Sequence, residues 1–207
     1  MRLLAWTAAL LLAGCGGEGR DEAAADKAAK GAAGVPAAAD KSPAAAPALT
    51  AQGFGPLRIG MSRAEAVAAL GEDSDPEGVG GPDPESCDMF RPARAPEGML
   101  VMIEAGRLTS LSLIDGSKVT TDRGLGLGAP AAAVRAAYGE ALQAGPHKYE
   151  QAPAEYLTVW AKDGPRPGSE EAAPATARGI RFEIGGDGRV HSINAGGPSI
   201  EYVEGCA

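Results

Sequence analysis

Three cysteines carry the most reactive side chains of this 207-residue chain. A thiolate can be acylated, can oxidise to a disulfide or can bind a metal. Cys15 stands alone near the start of the chain, whereas Cys87 and Cys206 lie far apart in the remainder. The residues that precede Cys15 therefore have to be considered first.

Cys15 follows a segment with the three parts of a secretory signal peptide. Arg2 is followed by an apolar run over residues 3–12 and then by the small residues Ala13 and Gly14. This order of a charged, an apolar and a small-residue region is typical of a cleaved signal. The apolar run is too short for a membrane helix, which needs about 20 residues. We therefore predict a signal peptide over residues 1–14.

The tetrapeptide Leu12-Ala13-Gly14-Cys15 resembles the lipobox of bacterial lipoproteins. The resemblance implies that the Cys15 thiol receives a diacylglyceryl group, that cleavage occurs before Cys15, and that the new amine is acylated by a chain such as palmitate. Several acyl chains make a stable membrane anchor, whereas one chain does not. Gly16, and not an aspartate, follows Cys15, which in such lipoproteins implies the periplasmic face of the outer membrane. The alternative is an ordinary secretory signal followed by a chance cysteine.

Lipidation of Cys15 leaves Cys87 and Cys206 as an even pair in an oxidising compartment. We predict a disulfide between them that ties the end of the chain to its first half. Such a link would supplement a modest core, because large aliphatic side chains are sparse after residue 51. The alternative is two unpaired buried thiols.

Residues 15–52 consist mainly of Ala, Gly, Pro, Lys, Asp and Glu. Such a segment cannot bury enough apolar surface to fold, so we predict a disordered tether that begins at the lipidated cysteine. The net charge is −8 and no basic patch offsets it. Nucleic acid is therefore not an expected partner.

Residues 53–207 are predicted to fold as two repeats, 53–122 and 123–207. Leu57-Arg58-Ile59-Gly60 of the first copy aligns with Leu125-Gly126-Leu127-Gly128 of the second. In the first copy Ser62 and Glu65 have the spacing of a capping box. In the second, Pro130 suits a first helical turn. A helix of about eight residues is predicted in each copy, ended by Gly71 and by Gly139.

Three strands are predicted after each helix: 87–91, 98–104 and 107–114, and then 155–161, 179–184 and 189–194. The predicted fold class is α+β, with tandem repeats of a short helix followed by antiparallel strands and with the helices packed on one face of the sheet. Residues 199–204 are predicted as a last edge strand that delivers Cys206 to Cys87. Residues 73–85 and 164–177 are predicted as surface loops.

The segment from Leu57 to Gly71 resembles the module of small outer-membrane lipoproteins of the SmpA/BamE type, and its tandem use resembles the beta-lactamase-inhibitor-protein superfold. These resemblances imply a binding or assembly-support protein and not an enzyme. The second copy departs from the pattern, because Ala129-Pro130 replaces Met61-Ser62 and no acidic residue matches Glu65.

No catalytic motif is evident, and the chain has two histidines, His147 and His191. No metal or cofactor is expected. Glu183 and Glu201 could pair as an acid and a base, but carboxylates on strands are usually solvated.

Tyr149, Tyr156 and Trp160 form an aromatic cluster that is a candidate partner surface. The alternative is that Tyr156 and Trp160 share a strand face and fill the core. The leading hypothesis is an anchored, non-catalytic protein-binding or assembly-support module with an envelope partner. The alternatives are an inhibitor-like module that blocks a hydrolase and, third, an enzyme that acts on envelope substrates.

Overall fold

The computed structural model describes residues 46–169 and 171–206. The signal peptide, Cys15 and most of the predicted tether lie outside the described residues. The strands are β1 (Gly53–Phe54), β2 (Leu57–Arg58), β3 (Cys87–Phe90), β4 (Met99–Glu104), β5 (Arg107–Leu113), β6 (Leu142–Pro146), β7 (Glu155–Lys162), β8 (Arg178–Ile184) and β9 (Val190–Gly196). The helices are α1 (Arg63–Leu70), α2 (Ala131–Tyr138) and the 3₁₀ segments Gly139–Ala141 and Pro198–Glu201.

Seven strands form one antiparallel sheet in the order β3-β4-β5-β9-β8-β7-β6, and β1 pairs with β2 in a separate small hairpin. The two halves of the chain join in the middle of the large sheet, where β5 pairs with β9 from Ser110↔Gly196 to Leu113↔Ile193. The predicted hairpin of β4 and β5 is confirmed.

The predicted α+β fold of two helix-then-strand repeats, with helices packed on the sheet, is wrong: the regular structure of the described residues is mostly β. One reason is the pairing of β5 with β9, which merges the strands of both copies into one sheet. A second is β6, a strand without a counterpart in the first copy. The sequence of β6 does not alternate and ends in Gly145-Pro146, so it gave no strand pattern.

The two helices are short because few interactions other than those at their own ends stabilise them. The predicted capping box is confirmed, since Ser62 N–H donates to Glu65 at 2.8 Å and the Ser62 hydroxyl accepts from Glu65 N–H. Helix α1 buries only Ala66 and Leu70, and α2 buries only Val134. Alanine-rich helices of eight residues have little apolar surface to bury, so the sheet dominates the fold.

The main core lies on one face of the sheet. Its large, fully buried side chains include Phe90, Leu111, Leu157, Phe182 and Ile193, at alternate positions of five strands. Leu49 also belongs to this core, and its backbone bonds to Thr120 and Asp122. The packed region thus includes residues just before Gly53.

The predicted edge strand at 199–204 is also wrong. Pro198–Glu201 forms a 3₁₀ helix, in which Pro198 fixes the first turn. Ile200 is buried against the sheet face opposite the main core, with contacts to β5, β8 and β9. We call residues 198–206, which cross this face, the strap.

Candidate functional site

The strap lies over the polar face of the sheet, which strand alternation creates. On β8, Arg181 and Glu183 point to this face, because they alternate with the core residues Ile180, Phe182 and Ile184. Neighbouring strands add hydroxyl and amide groups to it. Those that line the space beneath the strap are Ser110, Ser112, Tyr156, Ser192 and Asn194.

Three links hold the strap. Cys206 at its end is joined to Cys87 of β3 by a disulfide, over a sequence separation of 119 residues. At its start, Arg181 Nη1 donates to the Ile200 carbonyl at 3.3 Å. Between them, Glu204 accepts from the hydroxyl of Tyr149. The strap is therefore attached at both ends and crosses the sheet as a bridge.

A cavity of about 300 Å³ lies between the strap and the polar face. One part of its wall is polar and includes Arg181 and Glu183, and another part is apolar and includes Leu100, Met102 and Ile114. A second cavity, of about 660 Å³, lies on the side of β6 and shares Arg181 and Tyr156 with the first. These volumes match small ligands, which occupy sites of about 300–1,000 Å³.

Arg181 is the buried charge of this site. The residue is 7% exposed, and its guanidinium lies 3.7 Å from the centre of the Tyr156 ring. Within the described residues no carboxylate lies within 4 Å of it, and its one hydrogen bond is that to Ile200. Desolvation lowers the pKa of Arg181, and the nearby Tyr156, Glu201 and Glu183 act in the opposite direction. A buried guanidinium with donors to spare is suited to binding an anionic group.

Glu183 is held by two donors. His147 Nε2 lies 3.1 Å from one carboxylate oxygen, and the Ser192 hydroxyl donates to the other at 2.8 Å. His147 Nδ1 accepts the backbone N–H groups of Tyr149 and Glu150, which assigns the ring proton to Nε2. Burial raises the pKa of Glu183, but the hydrogen bonds from His147 and Ser192, aided by the charge of Arg181, outweigh burial and lower it.

The order of these three groups favours binding over covalent chemistry. In a serine hydrolase the histidine lies between the nucleophile and the acid. Here the carboxylate of Glu183 lies between Ser192 and His147, so the imidazole cannot take the hydroxyl proton of Ser192. The arrangement fixes Glu183 as an ionised acceptor at the edge of the cavity.

Two hydroxyls at the strap have no hydrogen-bond partner in the described part of the chain. They belong to Tyr156 and Ser199, both more than nine-tenths buried and both in residues of the cavity wall. Nearly all buried polar groups in proteins are hydrogen-bonded, and an unpaired one costs about 1–3 kcal/mol. Both hydroxyl oxygens are closed off from solvent, so this cost is borne by the protein itself.

The aromatic residues predicted as a partner surface do not share one environment. Tyr149 is 61% exposed, whereas Tyr156 is buried between Arg181 and the ring of His147. Trp160 is half-buried and lies on Gly179, where a Cβ would come within 2.6 Å of the indole ring. Tyr156 and Trp160 share a strand face, as alternation predicts, but neither belongs to the main core cluster.

Sequence reasoning missed Arg181, His147 and Ser199 as site residues. The signal for Arg181 was present, because a charged residue alternates with Ile180, Phe182 and Ile184 in a strand that is otherwise apolar. No local pattern predicted that the chain end would cover this face, since that depends on the path of the strap.

Within residues 46–169 and 171–206, no three metal-binding side chains converge on one point. The same residues contain no helix with the length and apolar character that crossing a membrane requires. No protein-family model matches the chain, and neither a curated protein nor a solved structure is similar to it.

Proposed function

We propose that this protein is a lipid-anchored protein of the bacterial envelope whose folded part binds a protein partner without catalysing a reaction. The observation that carries the proposal is the exposure of Tyr149 and of Tyr202 and Val203 on the strap, which together we call the tyrosine patch. These are the exposed large hydrophobic residues of the described part of the chain.

The residues of the tyrosine patch are held by contacts within the protein. The Tyr149 hydroxyl donates to Glu204, which follows Tyr202 and Val203 on the strap. Lys148 lies 5.2 Å from the Tyr149 ring and 4.0 Å from the Glu204 carboxylate. Exposed tyrosines on segments that are held in this way are typical of interface anchors. The disulfide at Cys206 limits the motion of the strap, so less conformational entropy is lost when a partner binds.

The environment of Glu183 supports the non-catalytic part of the proposal. Its carboxylate is engaged by His147 and Ser192 in an order that does not activate the serine. The hypothesis of a hydrolase inhibitor that acts through its sheet has no separate observation in its favour, and the strap occupies part of the face that it would use.

The membrane anchor rests on the lipobox resemblance of residues 12–15. In cells that make the protein naturally, Cys15→Ser is expected to move the protein from the membrane fraction to the soluble fraction and to stop incorporation of radiolabelled palmitate. A C15S protein that still carries palmitate would contradict the proposal.

The partner surface is tested by co-purification from detergent-solubilised envelopes. The variant Y149A/Y202A is expected to capture at least ten-fold less partner, since loss of two anchor tyrosines at about 1 kcal/mol each weakens binding by more than that factor. The control is Lys118→Ala, an exposed residue beside Phe54 and Val119 and outside the patch. Equal capture by both variants would refute this surface, and loss of a captured hydrolase's activity on binding would favour the inhibitor.

A further inference from the structure

Opposite charges open onto the cavity beneath the strap from one strand. Arg181 and Glu183 are two residues apart on β8, about 7 Å along the strand, and both line the cavity of about 300 Å³. They do not form an ion pair with each other within 4 Å in the described residues. Each charge is therefore available to a different group of one ligand.

Arg181 has spare donors. A guanidinium carries five N–H groups, and the protein uses one of them, toward Ile200. Its flat face is covered by Tyr156, and the remaining N–H groups lie in the plane of the guanidinium. A carboxylate binds such a plane with two parallel hydrogen bonds.

Glu183 has spare acceptor sites. An ionised carboxylate has about four lone-pair positions, and His147 and Ser192 occupy one on each oxygen. Its lowered pKa keeps it negative at neutral pH. A simple anion would meet this charge and that of Glu204, which also lines the cavity, so Arg181 alone does not define the ligand. A ligand with both a negative and a positive group satisfies both ends.

Part of the cavity wall is apolar. Ile114 continues β5 just beyond Leu113, opposite Ser192 of β9 and level with Glu183, whereas Leu100 and Met102 lie farther away on β4, level with Arg181 and Gly179. The cavity volume is at the low end for ligand sites, so the ligand is small.

We propose that this cavity binds a free α-amino acid with an apolar side chain. The carboxylate accepts hydrogen bonds from Arg181, the ammonium donates to Glu183, and the side chain packs on Leu100 and Ile114. Tyr202 and Val203 of the tyrosine patch also line this cavity. Binding of a small ligand by the purified chain needs no protein partner, so the two proposals are tested separately.

Isothermal titration calorimetry on the purified chain tests the ligand class with three matched compounds. L-leucine carries both charges, leucinamide lacks the carboxylate, and 4-methylpentanoate lacks the ammonium. L-leucine is expected to bind at least ten-fold more tightly than either analogue, because leucinamide leaves the buried Arg181 without an anion and 4-methylpentanoate brings a negative charge toward Glu183 with no ammonium to offset it. Absence of leucine binding at millimolar concentrations, or equal binding of all three compounds, would overturn the proposal.

Variants assign each charge to its partner. Arg181→Met is expected to abolish the preference for leucine over leucinamide, and Glu183→Gln the preference for leucine over 4-methylpentanoate. Glu183→Gln can still accept a hydrogen bond from Ser192, so its fold is expected to be kept. The control Lys118→Ala should bind leucine as the unaltered chain does. Should Arg181→Met not fold, Arg181→Lys replaces it, with a loss of at least five-fold expected because lysine lacks the planar donor pair. Retention of both preferences in these variants would refute the assignment.

Discussion

Replacement of Cys206 by serine removes the disulfide but keeps the packed residues of the strap. The change therefore measures how much the disulfide contributes to the free energy of unfolding. The disulfide closes a loop with a sequence separation of 119 residues, and the chain-entropy model gives about 5 kcal/mol for a loop of that length. Native disulfides of small domains typically contribute about 2–5 kcal/mol, so the free energy of unfolding of Cys206→Ser should fall by an amount in that range.

The measurement is urea unfolding of the oxidised chain from residue 46 to its end, followed by circular dichroism. Cys87→Ser and the double variant C87S/C206S are the matched controls, and all three should unfold at the same urea concentration. A loss below about 0.5 kcal/mol, or a double variant much less stable than the single ones, would refute the reasoning, because the link would then not restrain the unfolded chain.

The structural consequence of that change should be local. Ile200 anchors the strap at its start, but the segment 202–206 has exposed side chains apart from Gly205 and Cys206. Amide hydrogen exchange in 202–206 should therefore accelerate in Cys206→Ser while exchange in β8 and β9 changes little once corrected for global stability. Accelerated exchange throughout β8 and β9 would show that the strap is part of the core and not a separable cover.

Three further predictions concern the fold and the site. The pKa of Glu183 is lowered in the folded state, so its contribution to stability is present above its ordinary pKa of 4.5 and is lost as the pH falls through the lowered pKa. The free energy of unfolding of Glu183→Gln should therefore fall less between about pH 5 and pH 3 than that of the unaltered chain. Urea titrations at each pH measure this difference. Ser62→Ala removes the capping box and should lower the free energy of unfolding by about 1 kcal/mol in the same assay. An unchanged free energy of unfolding would contradict this role of the cap. Phe182→Ala empties a fully buried position against Tyr138 and should cost about 3–5 kcal/mol, whereas a cost below 1 kcal/mol would mean that the core is not at this face.

Elements with a local signal were predicted from the sequence. Helix α1 is specified by Ser62, Glu65 and Gly71, and the β4–β5 hairpin by an apolar run and a second strand-forming segment on either side of a two-residue turn. In each case a few neighbouring residues supply the caps, the turn and the periodicity, so no tertiary information is needed.

The architecture depended on information that is not local. The internal similarity of the two copies favoured separate helix-and-strand units, but β5 and β9 join them in one sheet, a pairing between residues eighty or more positions apart. Strand β6 and the 3₁₀ helix of the strap have no alternation to reveal them. The candidate site was missed for the same reason, since Arg181 gains its role only when Ile200 lies above it.

Site-specific photo-cross-linking in cells that make the protein naturally tests the central claim most directly. A photoreactive amino acid at Val203, in the tyrosine patch, is expected to form one major cross-linked product with an envelope protein, and the same amino acid at Lys118 is expected to form none. The Val203 product should disappear when Tyr149→Ala is introduced. No product at Val203, or the same product from both positions, would contradict a partner-binding function for this surface.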